Sequence, residues 1–236
     1  MDSAHDPRFI RLRLGPDDNS PGSIYVPYQL LSSDSYPFLH ETRSLSEDKA
    51  KQDLWVAGSN CLEVLGLLVQ WLHTGKYSEL RGSVRRFHSL GGCQDLKMWP
   101  DLEPKETMDW AVKAAMLAWL LGYELELREF RNYAITRLFA ALSRKSEQPQ
   151  LTPDLCKAAW RNTEEPGEID RALADMVVRN WGDAAVVDQA DLSEWVDVIG
   201  DEESGFMEKF VGGTLVSLEK RREKVLVAED YFEPEL

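Results

Sequence analysis

At 236 residues, 43% of them apolar, the chain is long enough to bury a sizeable core and suits one domain with an extension or two small domains. A net charge of −14 sets its surface against phosphate backbones and anionic lipid, which argues against nucleic acid or a membrane as a direct partner. Three scattered cysteines, Cys61, Cys93 and Cys156, do not form a disulfide framework. The start MDSAHDPRF lacks the basic and apolar regions of a secretory signal, so a reducing cytoplasmic or nuclear setting is expected.

After a short tail over 1–8, FIRLRL at 9–14 alternates Ile10, Leu12 and Leu14 with Arg11 and Arg13, the period-two pattern of a half-buried strand. Turn residues follow, and SIYVPY opens a second strand that Pro27 should end by removing a backbone donor. PYQLLSSDSYPFLHET at 27–42 spaces Leu30, Leu31 and Phe38 for two short helices, and DLWVAG reads as a third strand. Asn60 and Glu63 have the spacing of a capping box for a helix over 61–74. Between Cys61 and Leu72 only Glu63 and Gln70 are strongly polar, so this helix is expected to lie at the centre of the fold. Gly75 should stop it in the left-handed conformation, with His73 covering its exposed carbonyls.

Residues 76–106 lack periodicity and carry Gly91, Gly92, Pro100 and Pro104, so they read as a long loop or insertion. A helix over 107–121 follows, with Trp110, Ala114, Leu117 and Leu121 in one stripe and Gly122 as its stop. Its partner over 127–142 aligns Leu127, Phe130, Ala134, Leu138 and Ala141 opposite Arg128 and Arg137, so an antiparallel hairpin is expected. The polar stretch over 143–150 reads as a linker. A helical extension over 151–227 then begins with Thr152 as N-cap and Pro153 in the first turn. Further helices are expected over 167–181, 191–199 and 203–227, the last broken near Gly212 and Gly213, before an acidic, mobile tail over 228–236.

Chemistry is thinly signalled. Cys61, His73, His88 and Cys93 are zinc-ligand types, but no pair has a short ligand spacing, and Cys61 and His73 would lie about 18 Å apart along one helix at ~1.5 Å per residue. No metal or cofactor is expected. VGGTL at 211–215 lacks the elements of a phosphate loop, and no acidic pair stands out among 41 carboxylates, so a catalytic role is not expected. Trp71, Trp110, Trp119, Trp160 and Trp181 fall on helices as packing residues. Two basic runs, RGSVRRFH at 81–88 and EKRREK at 219–224, carry the alternative reading of a chromatin-associated regulator.

Three segments in order resemble the BTB/POZ family, and most closely its fungal members: IYVPYQLLSSDSYPF at 24–38, LLVQWLHTGKY at 67–77, and AMLAWLLGYELELREFRNYAITRL at 115–138. His73 stands where that family usually has Tyr, and Pro27 where it commonly has His. AWRNT at 159–163 is similar to part of the helical tail of such proteins. The resemblance implies an α+β fold over 9–142, a small three-stranded sheet surrounded by helices, followed by the all-helical extension. It also implies a non-catalytic adaptor whose partners are proteins, a cullin-type ubiquitin ligase or a second copy of the chain. Apolar and aromatic anchors should do the binding. Tyr28, Tyr36, Phe38, Phe87 and Trp99 are the candidates, with packing inside the domain as the competing role for each and the favoured one for Phe38.

Overall fold

The computed structural model describes residues 9–14, 23–27, 30, 53–56, 61–87, 95–98, 101–144, 149–162, 167–200 and 205–234. The protein is mixed helix and sheet, an α+β fold. Strand β1 (Phe9–Leu14) is central in a three-stranded sheet, antiparallel to β2 (Ser23–Pro27) and parallel to β3 (Asp53–Val56). Pro27 is the last residue of β2, as its missing donor requires. Val26 is fully buried in the core, and α1 (Leu62–Thr74) packs against β2. The expected helices over 27–42 fall, Leu30 apart, outside the described residues.

The N-cap of α1 is Cys61, one residue later than the expected capping box would place it, and no side chain bonds there. At the other end Gly75 adopts φ 71° and its N–H bonds Trp71 O, while the Thr74 hydroxyl bonds Gln70 O at 2.8 Å. These two groups, not His73, close the helix; His73 is exposed. The first half of the expected long loop contains β4 (Ser83–Arg85), paired antiparallel with β5 (Thr107–Asp109) through Val84 and Met108. Residues 107–109 are therefore strand rather than the start of a helix.

The central element is α2 (Trp110–Glu124), not α1. Ala114, Ala115, Met116, Leu117 and Leu121 are fully buried, and even Lys113 is enclosed, donating through Nζ to Arg85 O at 2.8 Å. Asp109 caps α2 by accepting from the N–H groups of Ala111 and Val112. The helix runs through Gly122 instead of stopping there. A Cβ at that position would sit 2.8 Å from Arg131 Cγ of α3 (Arg128–Leu142), so the glycine lets the two helices of the hairpin close on each other. Leu127, Phe130, Ala134, Leu138 and Ala141 make the buried stripe of α3.

Thr152 and Pro153 begin α4 (Pro153–Trp160), followed by α5 (Glu168–Asn180), α6 (Leu192–Ile199), α7 (Phe206–Thr214) and α8 (Leu218–Glu223). Trp181, Trp195, Phe206 and Phe210 interlock here, with Trp181 edge-on to Trp195 at 5.4 Å and to Phe210 at 4.8 Å. Gly212 and Gly213 lie within α7. A Cβ on Gly213 would collide with Val178, so that glycine is a point of close approach to α5, and the chain breaks instead between Thr214 and Leu218.

The acidic end is not loose. A 3₁₀ turn at Ala228–Tyr231 buries Tyr231, whose hydroxyl donates to Asp175 at 2.7 Å. Glu233 ion-pairs with Arg131, and its N–H donates to Asn132 at 2.9 Å. The end of the chain therefore straps α3 to α5. Buried residues from both sides of 143–150 form one continuous core. Among the described residues, no helix is long and apolar enough to cross a membrane.

Candidate functional site

A groove of about 920 Å³ opens where the β4–β5 pair meets the start of α4 and the approach to α6. One wall comes from Gly82 and Arg86 with the turn at Pro104–Glu106. The other is set by residues 150 and 151, which bond the 184–188 segment. Gln150 Nε2 donates to Ala184 O at 2.6 Å, Leu151 N–H to Val186 O at 2.8 Å, and Asp188 N–H to Leu151 O at 2.9 Å. Leu151 itself is 1% exposed, and this register carries Asp188, Asp191 and Glu194 to the groove.

Arg86 is the fixed cation of the site. It donates to Asp154 Oδ1 from Nε at 3.1 Å and from Nη2 at 2.5 Å, and lies 3.7 Å from Asp188. Burial opposes its charge, but the hydrogen bond and field of Asp154, helped by Asp188 and Glu194, outweigh that and hold its pKa above the ordinary value. Asp109 is likewise occupied by the α2 cap and by Arg144 at 3.2 Å. Asp191 caps α6 by accepting from Ser193, which holds its carboxyl below the usual range.

Among the described residues five carboxylates line the groove, Glu106, Asp109, Asp188, Asp191 and Glu194, against two cations, Arg86 and Lys105. Glu106 and Glu194 make no ion pair among the described residues, so the lining keeps an excess of negative charge. Thr152, 7% exposed, lies in the same lining with its buried Oγ1 lacking a hydrogen-bond partner. Such a surface attracts cationic, hydrogen-bonding groups.

Of the aromatic anchors expected from sequence, Phe87 is the one among the described residues. Phe87 is 5% exposed, with Lys113 Nζ 5.2 Å from its ring centroid, so its ring is core and is not presented to a partner. Tyr28, Tyr36, Phe38 and Trp99 lie outside the described residues, as do His88 and Cys93 of the zinc-type set. Cys61 and His73 stand at the start and in the last turn of α1. Burial pushes the Cys61 thiol up to about 11 and that of Cys156 further, the reverse of an activated nucleophile. Among the described residues no group of three His, Cys, Asp or Glu is placed to hold a metal.

Three arginines of the basic runs, Arg86, Arg221 and Arg222, are engaged within the fold. Arg86 is paired as above. Arg221 bonds the carbonyls of Val178 and Trp181 at the end of α5, and Arg222 pairs with Asp183 at 2.5 Å. The groove acids were visible in sequence only as a 3-residue spacing at 188, 191 and 194, lost among 41 carboxylates. Comparison with family models, curated proteins and solved structures finds no match.

Proposed function

We propose that the chain is a non-catalytic protein-interaction protein: a BTB/POZ-like α+β domain with a helical extension, acting in the cytoplasm or nucleus as an adaptor. Its acidic groove takes a basic, extended segment of a partner protein. The carrying observation is the charge of that groove, five carboxylates against two cations among the described lining residues. The order of strands, buried helix and helical hairpin supports the BTB/POZ part of the reading. A cullin-type ligase component and a second copy of the chain are the partners that resemblance implies. Size analysis of the purified chain, with and without a purified cullin, separates the two.

The groove is tested directly with labelled peptides. A short peptide alternating Arg with Leu is expected to bind, to weaken as salt rises, and to weaken by about tenfold on the double replacement E106K/E194K. Equal binding of the Glu-for-Arg peptide, or indifference to the double replacement, contradicts the reading.

A further inference from the structure

A second concavity, sharing no lining residue with the groove, opens between α3, α5 and the segment that follows α8. Its volume is about 320 Å³, room for about ten water-sized atoms at ~30 Å³ each, and at the small end of the range for ligand sites. Phe139, Leu142, Leu151, Met176 and Leu226 give it an apolar wall, and among the described residues Arg179 is the one charged side chain in the lining.

Arg179 stands in the last turn of α5, and its acceptors among the described residues are all neutral. Its Nε donates to Lys224 O at 2.9 Å, Nη2 to Arg222 O at 3.2 Å and Nη1 to Asn180 Oδ1 at 3.5 Å. The nearby charge is another cation, Arg222, whose own carboxylate Asp183 is already engaged at 2.5 Å. Burial, and then Arg222, lower the pKa of Arg179, as expected for a partly buried cation beside another. In a chain of net charge −14, a guanidinium beside an apolar cavity that has no carboxylate partner among the described residues is a local exception.

We propose that this pocket binds a small apolar molecule bearing a carboxylate, its hydrocarbon part against Phe139, Met176 and Leu226 and its carboxylate on Arg179. The apolar wall supplies burial and the guanidinium supplies orientation, through a charge-assisted hydrogen bond. Because the wall is shared by α3, α5 and the chain end, the ligand also ties the helical extension to the hairpin.

The test is a titration of the full chain with octanoate and, separately, octanol, followed by backbone amide shifts. Octanoate is expected to saturate, to move amides at 139–143, 176–180 and 225–226, and to bind about tenfold tighter than octanol. Arg179→Gln should bring octanoate down to the level of octanol and leave octanol unchanged, a result that general loosening would not give. Should that variant fold poorly, Val225→Trp alters a residue that is 70% exposed at the pocket and should abolish binding of both ligands. Equal wild-type affinities, shifts that map elsewhere or fail to saturate, or unaltered binding by V225W overturn the proposal.

Discussion

The groove and the Arg179 pocket both lie where the N-terminal half meets the helical extension, yet they are built in opposite ways. In the groove the half-buried Arg86 is neutralised by Asp154 and Asp188, and the remaining charge of the described lining is negative. In the pocket the wall is apolar and the one charge among the described residues, Arg179, is positive and pairs with no described carboxylate. One seam thus offers two surfaces of opposite sign. Leu151 is common ground, since its backbone sets the register of the groove wall and its side chain lines the pocket.

That shared residue gives the largest expected effect. Leu151→Ala should destabilise the protein by about 3 kcal/mol in urea unfolding, because the side chain is 1% exposed, and weaken octanoate at the pocket it lines while the groove, set by the backbone of residue 151, keeps its peptide. Unaltered octanoate binding would break the assignment of Leu151 to the pocket. Next comes Arg86→Ala, which leaves Asp154 half-buried without its partner and should cost about 2 kcal/mol, with octanoate binding at the Arg179 pocket intact. Tyr231→Phe removes one hydrogen bond to Asp175 and should cost about 1 kcal/mol. Amide exchange should then quicken at the chain end and along the strap on α3, with the groove unaffected.

Alkaline pH sharpens the comparison without a mutation. Burial raises the Cys61 thiol from 9.0 to about 11 and shifts Tyr77, Cys156 and Tyr231 upward as well. The folded state therefore resists deprotonation that the unfolded chain accepts. Stability contributed by the neutral Cys61 is whole below pH 9.0 and is lost as pH rises through about 11, readable as a falling midpoint in urea. The smallest effect on stability belongs to E106K/E194K, within about 0.5 kcal/mol of wild type although peptide binding falls about tenfold.

Much of the fold could be read where local chemistry decides it. Pro27 ends β2, Gly75 ends α1, and Thr152 with Pro153 starts α4, each because a single backbone group is missing or permitted. The misread positions depend on distant partners. Gly122 and Gly213 look like helix stops in one dimension, but Arg131 and Val178 make them contact points between helices. The polar end of the chain has no apolar periodicity, and its order comes from Asp175, Arg131 and Asn132, all about a hundred residues or fewer upstream. The groove was hidden for the same reason. Its acids lie on separate segments that only the pairing of residue 151 with 186–188 brings to one rim.

The most direct test of the central claim is hydrogen exchange across the full chain with and without the Arg-Leu peptide. Protection concentrated at 104–109 and 188–194, and absent in E106K/E194K, is the result expected for a protein-binding acidic groove. Protection confined to other segments, or identical in wild type and the double variant, would contradict it.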